Sequence, residues 1–213
     1  FTLEQGGWVV AIYGIGSFFG AFIGGKLSDR FGFYSIQFFA LFFGGLLFIL
    51  LGEMRTYLSI SICTFMLSMV NEAFRPANAS AIAHYSTAKN RTQSFSLVRL
   101  AVNLGFGIGI ALGGILASIN YHLLFWVDGA TSISAALLLV IILPGNLSQT
   151  KMNKQAKIER PTDAKLSSSA FKDSSFLFFL GFIILFASCF FQLFTTVPVF
   201  FKEKLNLNEF QIG

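Results

Sequence analysis

Six stretches of this chain are each long and apolar enough to cross a bilayer as a helix, and that property excludes most other folds. They cover residues 7–25, 34–51, 57–85, 93–119, 123–143 and 176–200. A spanning helix needs about 20 mostly apolar residues, and in lipid it satisfies its own backbone hydrogen bonds without a neighbouring strand. None of the six alternates with the two-residue period of a barrel strand. The expected fold class is therefore an all-α integral membrane protein. Charged residues make up 12% of the chain, about half the ~25% usual in soluble domains, which excludes a disordered or nucleic-acid-binding protein. The two cysteines, Cys63 and Cys189, fall in different apolar stretches and imply neither a disulfide framework nor a metal site. No phosphate-binding glycine loop is present, so no cofactor, metal or ATP-driven step is expected.

The basic residues orient the spans. Lys26 and Arg30 lie between the first two, Lys89 and Arg91 between the third and fourth, and Lys151, Lys154, Lys157, Arg160, Lys165 and Lys172 after the fifth. All ten fall on one side if every stretch crosses once, against Arg55, Lys202 and Lys204 on the other. Cytoplasmic loops carry the excess of Lys and Arg, so the side with ten is cytoplasmic and both ends of the chain are extracytoplasmic. The net charge of +5 is then a topology signal rather than a sign of an anionic ligand. Residues 144–175 read as a basic cytoplasmic linker lying on anionic headgroups, with 1–143 before it and 176–213 after it as parts of two different halves.

A start at Phe1 on the outer side, without a signal segment, leads us to expect a piece of a longer protein. The opening Gln5-Gly6-Gly7 and the closing Gln211-Ile212-Gly213 match at two positions with an offset of 206 residues. Six spans and one linker lie between them, as in one period of a two-fold repeated transporter of roughly 400 residues and twelve helices.

Three motifs carry a family resemblance. The first connection reads Gly25-Lys26-Leu27-Ser28-Asp29-Arg30-Phe31-Gly32. Its glycines permit a tight reversal, Asp29 can cap a helix N-terminus, and Arg30 can hold the cytoplasmic face. It resembles the Gly-x-Leu-Ala-Asp-Arg-x-Gly loop between the second and third helices of the major facilitator superfamily, although Phe33 and Tyr34 stand where that family continues with basic residues. The fourth span carries Gly105, Gly109 and Gly113 four apart on one helix face, a spacing that lets backbones approach closely. This stretch is similar to the family's fifth-helix glycine motif, with Ile110 in place of its proline, so the kink expected there is lost. The first span repeats the device at Gly16, Gly20 and Gly24. In the family these two helices face the opposite half, so both stripes are expected to form the packing between halves.

The third span contains Asn71-Glu72-Ala73-Phe74-Arg75-Pro76, which resembles the fourth helix of drug-efflux members. Glu72 and Arg75 are three residues apart and share a face, so they can pair. An unpaired charge at the bilayer centre costs about 2.5–3.5 kcal/mol on insertion scales. Two readings stay open: a protonatable group in a water-filled cavity, or a structural ion pair near the cytoplasmic mouth. Arg99 and Asn103, one turn apart on the fourth span, are expected to face the interior or its mouth.

The resemblance implies a six-helix portion, family helices 2 to 7, of a twelve-helix secondary transporter in the inner (plasma) membrane. It implies a monomer surrounded by lipid that exports hydrophobic or cationic small molecules in exchange for protons, by rocking its halves about a midplane site. Gly25, Asp29, Arg30 and Gly32 would latch the cytoplasmic gate, and Glu72, Arg75, Arg99 and Asn103 would be the cavity or proton-coupling residues. A metabolite facilitator or symporter of the same superfamily is the alternative. A polytopic enzyme would need a cluster of His, Asp or Glu at one membrane face, and the sequence has none. A seven-helix receptor fits the span count but not the Gly25–Gly32 motif.

Overall fold

The computed structural model describes residues 2–87, 89–143 and 173–205. The chain divides into two compact units, Phe1–Thr150 and Lys151–Gly213, and each stands by itself below. The first holds α1 (Leu3–Phe31), α2 (Phe33–Glu53), α3 (Tyr57–Tyr85), α4 (Arg91–Ile119) and α5 (Tyr121–Ile142), and the second holds α6 (Ser174–Leu205). No strand occurs among the described residues, and all six helices are long and apolar enough to cross a membrane. Most of the linker expected at 144–175, and the closing stretch that echoes the opening, lie outside the described residues.

Local sequence sets the helix ends. At α1, Thr2 and Gln5 form a reciprocal cap: the Gln5 amide donates to Thr2 Oγ1 (3.2 Å) and the Thr2 amide to Gln5 Oε1 (3.1 Å). Thr56 Oγ1 accepts from the Ser59 amide at the start of α3 (3.3 Å), and Asn120 Oδ1 from His122 at the start of α5 (2.9 Å). In the second unit Asp173 Oδ1 accepts from the Ser175 amide (2.9 Å), so α6 opens on an acid, as the helix dipole favours.

The first connection departs from expectation. Residues 25–32 were expected to form a loop, yet 25–31 are the last turns of α1, and α2 begins at Phe33. The whole reversal falls on Gly32, whose φ of 89° lies in the region open to glycine and whose N–H closes the helix on Ser28 O (3.0 Å). Asp29 does not cap α2, whose first turn has no side-chain cap. A 29-residue helix rises about 43 Å, more than the ~30 Å hydrocarbon core, so its end projects past the membrane, where charged residues extend a helix as readily as they form a loop.

Packing of the first unit centres on α3, with α1 running parallel to it and α2 antiparallel. Against α2, Cys63 Sγ donates to Leu47 O (3.7 Å), Gln37 Nε2 to Asn78 Oδ1 (3.3 Å), and the Phe33 and His84 rings sit 5.3 Å apart. On the far side of α2, Gly45 and Gly129 face one another and Gly52 meets the Phe125 ring, so α5 runs antiparallel to α2. The most enclosed side chains are mostly small (Ala77, Ala136 and Ser68, with Ala40 nearly enclosed), beside the larger Leu67, Phe33 and Ile36, while Phe18, Phe22, Leu58 and Ile141 point outward. Contacts through small residues suit lipid, where close backbone approach and dispersion, not water exclusion, hold helices together.

The α1 glycines give a second correction. Gly16, Gly20 and Gly24 were assigned to packing between halves, but α3 occupies that face. Gly16 meets Phe65 and Ser68, Gly20 the Met69 backbone, and Gly24 the Cα and Cβ of Ala73. Glycine spacing reports a close helix contact without saying which helix makes it. The α4 glycines differ: Gly105 and Gly109 have nothing within 4 Å of where a side chain would begin, and Gly113 meets only Leu124 at 3.8 Å. No residue of α4 is buried.

A Cβ at Gly20 would lie 2.8 Å from Met69 Cα. Gly20→Leu therefore forces α1 away from α3 and should cost about 1–3 kcal/mol, the range for overpacked interiors. The thermal unfolding midpoint of the purified protein should fall, and an unchanged midpoint would contradict this contact.

Candidate functional site

The α1–α3 contact gathers polar groups in the middle of two apolar helices. Along α3, Ser61, Thr64 and Ser68 are buried, and Ser68 Oγ returns its hydrogen bond to Phe65 O (2.9 Å). Half a helix in from Tyr57, Glu72 and Arg75 form an ion pair, with Arg75 Nε 3.3 Å from Glu72 Oε2. The Glu72 side chain is 19% exposed and that of Arg75 80%. Tyr13 and Ser17 lie one turn apart on α1, the Ser17 hydroxyl is buried without a hydrogen-bond partner among the described residues, and the Tyr13 phenol lies within electrostatic reach of both Glu72 and Arg75. An exposed cation facing hydrocarbon costs several kcal/mol, so the open side of Arg75 suits water or protein.

Toward the Gly32 end, the Gln37–Asn78 pair borders a cavity of about 300 Å³ that Tyr85, Ser86, Ser94 and Leu139 also line. The Ser86 hydroxyl is buried there without a hydrogen-bond partner among the described residues. At the same end, a methyl group on Gly25 would lie 4.0 Å from Pro76 Cβ. The first motif thus touches the turn that follows Arg75, although 50 residues separate them in sequence. Arg30 lies over the neighbouring Phe31 ring at 5.2 Å and Lys26 over Phe22 at 4.3 Å. Neither basic group, nor Asp29, has an ion-pair partner among the described residues.

The expected site residues are therefore only partly brought together. Glu72 and Arg75 pair as the three-residue spacing requires, and Gly25 joins them through Pro76. Arg99 and Asn103 are exposed on α4, with no hydrogen bond or ion pair to Glu72 or Arg75. Sequence reasoning missed Tyr13, Ser17 and the Gln37–Asn78 pair. Gln37 had a usable signal: it is the one carboxamide in the apolar run of α2, and a lone amide in lipid calls for a partner. Tyr13 had none, because a tyrosine in a span reads first as a belt residue.

The sequence pattern of the Major Facilitator Superfamily matches residues 1–213. The chain belongs to that superfamily. It is a multi-pass membrane protein, and its family points to a transporter rather than an enzyme. It is 28% identical over 195 residues to multidrug resistance protein 2 of Bacillus subtilis (strain 168), covering 86% of this chain and 46% of that protein. Multidrug resistance protein 1 of the same organism is 30% identical over 138 residues, 64% of this chain and 35% of that protein. The class H tetracycline resistance protein of Pasteurella multocida is 32% identical over 137 residues, 64% and 33% respectively. The chain thus spans less than half the length of the curated relatives it matches.

Asn78→Leu strands the Gln37 carboxamide between apolar helices and should cost about 1–3 kcal/mol of stability, the penalty for an unsatisfied buried polar group. Replacing both Gln37 and Asn78 by Leu should recover part of that loss in the same unfolding assay. A double variant no better than the single one would show that the pair does not couple α2 to α3.

Proposed function

We propose that the chain forms much of one half of a secondary transporter that exports hydrophobic or cationic small molecules in exchange for protons. The observation that carries this reading is the Glu72–Arg75 pair: two charges within the long apolar helix α3, near enough to Tyr13 of α1 to act on its phenol, where contact with hydrocarbon would be costly. An intramembrane acid of this kind is a natural proton carrier. Protonation of Glu72 would release Arg75, and a substrate cation would compete with Arg75 for the carboxylate. The names of the relatives, two multidrug resistance proteins and a tetracycline resistance protein, support export of drug-like compounds.

In this reading Glu72 and Arg75 line the cavity, and Arg99 and Asn103 join it when the protein is whole. The open Gly105–Gly109–Gly113 face of α4 packs against the opposite half and moves during alternating access. Asp29 and Arg30, which project past the end of the span on a turn set by Gly32, latch the cytoplasmic side, and the Gly25–Pro76 contact links that latch to Glu72. The transporter works as a monomer in the inner membrane, with the basic segment after α5 cytoplasmic. Ile110, in an α4 that runs unbroken from Arg91 to Ile119, favours a facilitator or symporter as the second reading, since the kink associated with exchange is absent.

The test is dye efflux by the full-length protein in proteoliposomes under an imposed pH gradient. Efflux should follow the gradient, and Glu72→Gln should slow it by about tenfold or more, equivalent to ~1.4 kcal/mol of lost barrier reduction, with expression and folding unchanged. Efflux indifferent to the gradient would favour the facilitator, and full activity in Glu72→Gln would remove Glu72 from the mechanism.

A further inference from the structure

A second concavity lies away from the polar cluster, where α1 and α2 splay apart over α3. It has a volume of about 200 Å³ and is lined by Ile23 and Leu27 of α1, Ile36, Phe39 and Phe43 of α2, and Val70 of α3. Gly20, Ala40 and Ala73 form its floor, and their lack of bulk is what leaves the space. Ile23, Phe39 and Phe43 are 41–52% exposed, so the cleft is open along one side. It is smaller than the ~300–1,000 Å³ of sites for drug-sized ligands, and it has none of the convergent polar groups that orient such ligands. A segment of hydrocarbon chain suits it.

Two basic residues share the α1 stripe that lines the cleft. Ile23, Lys26, Leu27 and Arg30 follow the i, i+3, i+4, i+7 spacing of a single helix stripe. The two residues that line the cleft therefore alternate along α1 with two basic ones. Both basic side chains are exposed, and neither is neutralised by a carboxylate among the described residues. Asp29 precedes Arg30 by one position and so leaves the stripe by about 100°. Each cation instead lies over a ring of its own helix, Lys26 Nζ 4.3 Å from the Phe22 centroid and the Arg30 guanidinium 5.2 Å from that of Phe31. Apolar walls running into the span and unpaired cations at its cytoplasmic rim complement one kind of molecule.

The geometry points to a specific site for an anionic phospholipid of the cytoplasmic leaflet, with one acyl chain in the α1–α2 cleft and its phosphate on Lys26 and Arg30. Such a lipid differs from the surrounding annulus in being selected by headgroup charge. It would brace α1 against α2, whose mutual contact is slight beside that of either with α3, and it would add an anion next to Asp29 on the turn at Gly32. The site stands on the cleft and its charge, independent of whether the protein exchanges protons.

The test uses the full-length protein in vesicles, with its native tryptophans replaced by phenylalanine and a single reporter introduced as Phe39→Trp. Brominated phosphatidylglycerol and brominated phosphatidylcholine are compared as quenchers at equal mole fraction. A second reporter, Ile141→Trp on the outward face of α5 (Ile141 is 73% exposed), reads the bulk lipid and confirms that each variant is folded and inserted. The expected result is a roughly fivefold preference for the anionic quencher at the Phe39→Trp reporter, the equivalent of one basic side chain at a membrane surface. No preference is expected at Ile141→Trp, and Lys26→Gln with Arg30→Gln should abolish the preference at Phe39→Trp while leaving quenching at Ile141→Trp unchanged. Equal quenching by both lipids at Phe39→Trp would mean ordinary annular lipid. Absence of quenching by either would mean that protein covers the cleft, and a preference that survives loss of both cations would mean that they do not select the lipid. Each of these three results overturns the proposal.

Discussion

The close approach of α1 to α3 is the contact on which the other features depend. Three glycines spaced four apart remove every side chain from one face of α1, so that Met69 and Ala73 of α3 press against its backbone. In lipid no water is released by burying a leucine face, and a contact of this kind gains its stability from dispersion over a short interhelical distance. The consequence is positional. With α1 seated this tightly, the Tyr13 phenol comes within electrostatic reach of Glu72, and Gly25 comes close to Pro76. The same seating leaves α2 splayed from α1 and opens the cleft above Gly20 and Ala40.

The unit thereby separates two environments on one helix pair. On one edge of the contact, Glu72 and Arg75 hold opposite charges at 3.3 Å, where water or protein suits them better than hydrocarbon. On the other, the walls are wholly apolar and the charges wait at the rim. A multi-pass membrane protein needs both: a place where charge is tolerated, and an outer surface where lipid seals tightly. The glycine stripe is the seam between them, and its absence of side chains allows the two surfaces to lie so close.

Much of this was legible beforehand. All six spans were recognised, because a run of some 20 apolar residues has few fates other than a buried or membrane-crossing helix. The Glu72–Arg75 pair was legible as well, since three-residue spacing on a helix fixes neighbours without reference to anything distant. The errors share one cause. Residues 25–31 read as a loop because charges and glycines interrupt the apolar run, yet a helix ends where its hydrogen bonding ends, and only Gly32 breaks it. Gly16, Gly20 and Gly24 read as a contact between halves, yet the partner of a smooth helix face is a matter of which helix arrives there.

Sequence by itself determined what depends on neighbours along the chain: the membrane class, the number of spans, their caps at Thr2, Thr56 and Asn120, and the pairing of Glu72 with Arg75. Hydropathy, capping and i, i+3 spacing act within a few turns, so they are written in consecutive residues. Tertiary structure alone decided that Gln37 meets Asn78, that Tyr13 comes within electrostatic reach of Glu72, that the α1 glycines hold α3, and that Ile23, Phe39 and Val70 share a cleft. Those relations join residues on different helices, and in a bilayer the choice of partner rests on shape and distance between helices that are almost equally apolar. No local pattern records that choice.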